Sequence, residues 1–227
     1  MATIPWREMV ALALGIACSP VHLALLLLLL LGADPLRRGG WFVLVWMITS
    51  AALVGLLLTV GHNLLLGMEK GSAHRIGLDL LGAGALLAIG LRELLSRGVA
   101  SEAPAWSQRL DSFCALPLPP LLALSIGLQV GSPDDLFLYA KASGSLLASG
   151  IDRIQEVVVS LLFGLGTSLL LLVPLLSLVV LGPDRVVPLL QRGRAWLVGN
   201  GELLVAMISL LLAAYLGWQG IEGLRME

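Results

Sequence analysis

The chain has 227 residues, of which 58% are hydrophobic and only 13% charged, and its formal net charge is −1. A water-soluble domain of this size needs a far more polar surface, so the solvent of this chain is hydrocarbon. No basic block grips phosphates, which argues against a nucleic-acid partner, and two cysteines, Cys18 and Cys114, with three scattered histidines, His22, His62 and His74, offer no disulfide framework, structural zinc site or cofactor centre.

Arg7 precedes the first apolar stretch, and Gly15-Ile16-Ala17-Cys18 has the look of a lipoprotein cleavage box. The apolar run continues through 25–31, which reads as an uncleaved first helix. A spanning helix needs about 20 mostly apolar residues. Such segments occur at 9–31, 41–66, 76–95, 121–147, 157–181 and 196–221. The connections are short: Asp34-Pro35-Leu36-Arg37-Arg38-Gly39-Gly40, Glu69-Lys70-Gly71-Ser72 and Gly182-Pro183-Asp184-Arg185. The longest connection holds Pro117, Pro119 and Pro120. It divides a single membrane domain into a first repeat (1–96), a connecting loop (97–120) and a second repeat (121–227). Trp41, Trp46, Trp196 and Trp218 fall near predicted helix ends, as interfacial aromatics do.

Connections one, three and five carry Arg37, Arg38, Arg92, Arg97, Arg109, Arg185, Arg192 and Arg194. The other side carries Arg7, Lys70, Arg75, Arg153 and Arg225, with Lys141 at the end of helix four or inside it. The bias puts both termini outside the cytoplasm. The expected location is the bacterial inner (cytoplasmic) membrane.

The two halves echo each other. Aligning Pro20 with Pro133 pairs Ser19 with Ser132, His22 with Asp135 and Leu23 with Leu136. Each Ser-Pro interrupts the first helix of its half. The expected fold is therefore all-α: a polytopic membrane protein of six transmembrane helices, arranged as a 3+3 inverted repeat with helices one and four broken at proline. Transporters built this way bind their cargo at the midplane, between the broken helices. Proline lacks an N–H and clashes with the preceding turn, so it frees backbone groups that need protein or a water-filled cavity to face. The residues after it start a half-helix whose positive dipole end favours an anion.

Asp134 and Asp135 stand at such a start, where a buried charge costs about 2.5–3.5 kcal/mol even on the lenient insertion scale. Pairing with Lys141, Arg153 or a freed N–H is the structural explanation; serving a substrate or ion is the functional one. His22 faces the same choice between a satisfied structural group and a proton carrier paired with Asp135. Gln129 and Tyr139 are expected to line the cavity. His62 and Asn63 are read as marking the interface, and Gly82, Gly84, Gly90, Gly164 and Gly166 as permitting close helix packing. The candidate substrate- or ion-binding set is Ser19, Pro20, His22, Gln129, Ser132, Pro133, Asp134, Asp135, Tyr139 and Lys141. No catalytic or metal-ligating residue is assigned.

Gly15-x-x-x-Ser19-Pro20, the turn from Asp34 to Gly39 leading into Trp41-Phe42, the second motif at Pro133, and Arg194-Ala195-Trp196-Leu197-x-x-Asn200 together resemble the GAP family. These are the peptidoglycolipid- or sulfolipid-addressing proteins, placed in the lysine-exporter (LysE) superfamily of six-helix transporters. The resemblance covers nearly the whole chain. It implies a membrane exporter of a small molecule, ion or lipid precursor. The family's second motif usually reads Asn-Pro-Lys-Asn-Leu, whereas this chain has Ser132-Pro133-Asp134-Asp135-Leu136. Two acids in place of a base and an amide point towards a cationic substrate or coupling ion, with Lys141 offsetting part of the charge.

Two other functions stand beside transport by alternating access. One is a thiol–disulfide reductant transporter, for which Cys18 beside Ser19-Pro20 supplies half of the pattern; its symmetry partner, however, is Gly131. The other is a non-transporting assembly factor for envelope lipids. No hydrolase triad or phosphate-binding glycine loop argues for an enzyme. The expected partners are the lipid bilayer and a small-molecule or ion substrate, and a homo-oligomer stays open.

Overall fold

The computed structural model describes residues 4–64, 68–69, 71–96 and 115–225. Among these every regular element is an α-helix. In hydrocarbon no water is present to satisfy backbone N–H and C=O groups, so a Leu-, Val- and Ala-rich chain must bond them within each segment. In chain order, α1 is Trp6–Ala17, α2 Pro20–Leu31, α3 Pro35–Asn63 and α4 Ala73–Ser96. They are followed by α5 Leu118–Gly131, α6 Pro133–Ser149, α7 Arg153–Thr167, α8 Leu169–Leu181 and α9 Pro183–Leu224.

Among the described residues, α3 and α9 are each long and apolar enough to cross a membrane. Three bent pairs, α1 with α2 (59°), α5 with α6 (71°) and α7 with α8 (63°), bring the number to five if each pair is one span. Large apolar side chains such as Leu81, Val180 and Leu211 lie exposed on the outer faces. Water would not tolerate so much contiguous apolar surface, whereas lipid does. The protein is an integral membrane protein.

Local sequence fixes the helix starts. Pro20, Pro35, Pro133 and Pro183 each occupy the first helical position, where the missing N–H costs nothing. Asp152 caps α7 by accepting from the Gln155 N–H at 2.8 Å. Gly150, at φ 61°, lets the chain leave α6 in the left-handed conformation. The centre of the bundle is α2, apolar on all sides and buried from Ala24 to Leu30 between α3 and α9. Around it, α3 also packs on α5, α6, α7 and α8, while α9 lies along α4.

Several sequence expectations change here. The segment 157–181 is not one straight helix: it bends 63° at Ser168, although no proline stands there. The hydroxyls of Thr167 and Ser168 bond the carbonyls of Gly164 and Leu165, and the Trp46 indole donates to the Thr167 carbonyl at 3.3 Å. Side chains have taken over what the helix ladder would use. The expected connection before 196–221 is helical too, because α9 begins at Pro183 and continues through Pro188. Its 42 residues reach about 63 Å, twice the hydrocarbon thickness, so Arg185, Arg192 and Arg194 lie on a helical extension rather than in a loop. Trp46 is not interfacial; it is buried against His22, with ring centroids 4.1 Å apart.

Helix α7 comes very close to α3 at Gly164. A Cβ at Gly164 would sit 2.5 Å from the Met47 carbonyl oxygen, whereas one at Gly55 would meet nothing within 4 Å. Gly164→Ala should therefore lower stability by about 1–3 kcal/mol, because backbone cannot step aside. Gly55→Ala should leave it nearly unchanged, and thermal unfolding of the two variants in detergent makes the comparison.

Candidate functional site

The two Ser-Pro sites adopt the same local conformation. Ser19 (φ −63°, ψ 112°) and Ser132 (φ −82°, ψ 112°) are extended, each followed by a helix with proline in its first position; Ser132 alone separates α5 from α6, whereas Cys18 and Ser19 together separate α1 from α2. The serines differ in what they do next. Ser132 Oγ donates to the Leu128 carbonyl at 2.8 Å, supplying a bond that the interrupted ladder lacks. Ser19 Oγ instead shares a 2.8 Å hydrogen bond with Nδ1 of His22, one turn into α2. His22 is buried, and its Nε2 finds no hydrogen-bond partner among the described residues.

Both breaks open onto one cavity of about 180 Å³. Ser19, Pro20 and His22 line it from the first half; Ser132, Asp134 and Asp135 line it from the second. Cys18 and, from α9, Ser209 complete its polar lining. Pro133 lies between two of these residues at the start of α6. The N-terminal ends of α2 and α6 thus converge on the same space, with Asp134 and Asp135 in the first turn of α6, where the helix dipole favours a carboxylate. Neither aspartate has a hydrogen-bond or ion-pair partner among the described residues. The cations that could have neutralised them are engaged elsewhere: Lys141 with Asp79 and Glu8, and Arg153, loosely, with Glu156 at 4.0 Å. Lys141 therefore does not offset the acidic pair.

Gln129 and Tyr139 are not among the residues lining this cavity. They form a buried network behind it. Gln129 Nε2 donates to Ser50 Oγ (2.6 Å) and to Tyr139 Oη (2.7 Å), and the two hydroxyls are 2.9 Å apart. Thr167 Oγ1 lies within donating distance of both Ser50 Oγ (3.0 Å) and the Gly164 carbonyl (2.9 Å), which compete for its single proton. The network ties α3, α5, α6 and α7 together. Gln129 Oε1 is left buried without a partner among the described residues.

Sequence reasoning missed a second polar centre. Glu8 of α1, Arg75 and Asp79 of α4 and Lys141 of α6 are all buried. Arg75 Nη2 reaches both Glu8 oxygens (3.3 and 3.4 Å), Lys141 Nζ lies 3.3 Å from Glu8 Oε1, and Lys141 also hydrogen-bonds Asp79. Two acids and two bases cancel, which is the condition for carrying such charges inside a membrane protein. The available signal was Asp79 in the third apolar segment. His62, expected to mark the interface, bonds Glu156 at 2.8 Å across α3 and α7. Cys114 lies outside the described residues, so the cysteine pair has no geometry here.

Buried polar groups at proline-broken helices, inside an otherwise apolar bundle, define an α-helical integral membrane protein with an interior polar site. The profile of the SfLAP family, described as "Sap, sulfolipid-1-addressing protein", matches residues 9–222. The chain belongs to that family. No curated protein matches it, and no solved structure does either.

The network behind the cavity makes its own prediction. Tyr139→Phe removes the hydroxyl shared by Ser50 and Gln129 and leaves both buried, at a cost of about 1–3 kcal/mol. Ser50→Ala removes the hub itself. A double-mutant cycle by thermal unfolding should give a coupling energy well away from zero, whereas additive effects would mean that the network is not a unit.

Proposed function

We propose that this protein is a membrane transporter, without enzymatic chemistry of its own, that exports a small molecule, ion or lipid precursor by alternating access of two three-helix halves. The observation that carries this reading is the shared cavity. Two proline breaks, far apart in the chain, meet there with a histidine from one and two unpaired carboxylates from the other. Ionisable groups inside a membrane bundle mark a substrate or ion path by default, and broken helices meeting at such groups are how secondary transporters build their sites.

The contacts between turns support the inverted arrangement of six spans. Arg38, at the start of α3, donates to the Leu116 carbonyl ahead of α5. Glu8 near the start of α1 meets Arg75 near the start of α4, and His62 at the end of α3 meets Glu156 at the start of α7. These pairings fit a first half that begins at one membrane face and a second half that begins at the other. On this reading the membrane is the bacterial inner membrane and the partners are lipid and cargo.

The family's description speaks of addressing a sulfolipid. Two carboxylates would repel a sulfate at this spot, so Asp134 and Asp135 serve a cation, either a coupling proton or metal ion or a cationic part of the cargo. Cys18 lines the same cavity, the one observation that favours a thiol relay. Retained activity in Cys18→Ser discards that alternative.

The test is complementation in a deletion strain of the native host, scored by the profile of envelope lipids and exported metabolites. The wild-type gene should restore the profile. Asp135→Asn should fail to, with the same amount of folded protein in the membrane. Full complementation by Asp135→Asn contradicts the coupling role.

A further inference from the structure

The buried charges border a second and larger cavity, of about 460 Å³. It is lined by the start of α1 (Glu8), the start of α4 (Arg75, Asp79) and the end of α9 (Tyr215, Gln219, Glu222). Among the described residues it shares no lining residue with the cavity at the Ser-Pro breaks. The same helices nevertheless wall both. On α1 the large cavity takes Glu8 and the small one Gly15; on α9 they take Tyr215 and Ser209. The two are stacked end to end, about 9–10.5 Å apart along those helices at 1.5 Å per residue.

What separates them is specific. Leu12 of α1, Leu138 of α6 and Leu212 of α9 are all buried at the intervening level. A Cβ at Gly15 would lie 2.8 Å from Leu212 Cδ1 and 3.3 Å from Leu138 Cδ1, so the three helices close on one another there. Directly beyond this apolar layer comes Lys141, one turn after Leu138 on α6, bonded to Asp79 and Glu8. Lys141 is the one member of the charge cluster that belongs to the second half, so its ion pairs join α6 to α1 and α4.

We propose that the 460 Å³ cavity is a water-filled vestibule on the path to the Ser-Pro site, and that the Lys141–Asp79–Glu8 ion pairs over the Leu12–Leu138–Leu212 layer form its closed gate. This assignment rests on the transport reading above. An ion-pair network suits the task because it has two discrete arrangements, paired and parted, rather than a continuum. Parting requires the charges to be taken up by water or cargo in the vestibule, which makes opening conditional on what enters. Glu8 and Arg75 remain paired with each other when Lys141 withdraws, so no charge on α1 or α4 except Asp79 is stranded.

Native Cys18, on the wall of the Ser-Pro cavity, is the reporter. In a Cys114→Ser background, in sealed vesicles of defined orientation, a membrane-impermeant cationic thiosulfonate is added to one face. Gln219→Cys in a background of Cys18→Ser and Cys114→Ser identifies the vestibule face by its labelling. Cys18 in the Cys114→Ser protein, with no other change, should label slowly from that face. Asp79→Asn with Lys141→Met, which removes the lock without leaving a buried unpaired charge, should raise the rate roughly tenfold or more, since thiol labelling follows access. Leu138→Ala, which thins the apolar layer and leaves every ion pair intact, is the second opening variant. The gate is overturned if folded Asp79→Asn/Lys141→Met and Leu138→Ala label Cys18 from the vestibule face no faster than native protein, or if Gln219→Cys labels from neither face. Because the readout needs no cargo, loss of complementation by Asp135→Asn alongside unchanged labelling removes the gate alone. Faster labelling alongside full complementation removes the coupling role of Asp135 and leaves the gate standing.

Discussion

A proline inside a membrane helix leaves backbone groups that lipid cannot satisfy, and they must face protein or water. Pro174 and Pro188 stay within α8 and α9, but at Ser19-Pro20 and Ser132-Pro133 the helix breaks in matching conformation, and both breaks open onto the same cavity. That constraint orders much of the rest. The half-helix after the first break, α2, is buried from Ala24 to Leu30, and its run of leucines suits that place. The second break brings α6 to the same point from the other half, so residues more than a hundred positions apart share one wall. Ser132 then takes up part of the lost bonding through a backbone carbonyl, whereas Ser19 turns its hydroxyl to His22.

The interior charges are sorted rather than scattered. Glu8, Arg75, Asp79 and Lys141 neutralise one another in a closed group, and His62 is bonded to Glu156. A buried pair is costly to break from one side only, since it strands the remaining charge. The polar hydroxyl network around Gln129 is likewise nearly closed. Against this background the acidic pair at the start of α6 stands apart, with the helix dipole as its compensation. Self-satisfied charges hold the bundle together, and His22, Asp134 and Asp135 face the cavity.

Much of this was legible in the sequence, and for a plain reason. Apolar run length locates spanning helices, and proline punctuates them, so the breaks at Ser19-Pro20 and Ser132-Pro133 were visible. With them came Ser19, Pro20, His22, Ser132, Asp134 and Asp135 of the cavity lining, whereas Val205, Ile208 and Ser209 of α9 join it only through tertiary packing. The bend at Ser168 was not, because it depends on the Trp46 indole reaching the Thr167 carbonyl from another helix. The same packing makes Trp46 a buried residue instead of an interfacial one. Lys141 looked like a counter-charge to Asp135 because the two are close in sequence. Six residues on a helix turn it well away from Asp135, and its partners on α1 and α4 become neighbours only through tertiary packing. Resemblance of short motifs identified the family, which the profile over residues 9–222 bears out.

The central claim is that the two Ser-Pro breaks face each other across one cavity. The most direct measurement is cross-linking of native Cys18 to a Ser132→Cys variant, in a Cys114→Ser background, with a short bifunctional thiosulfonate in membranes. Because Cys18 and Ser132 line the same small space, the account predicts a high yield of an internally bridged monomer, lost when either thiol is removed. Efficient labelling of each thiol singly, with no bridge between them in folded protein, would contradict it.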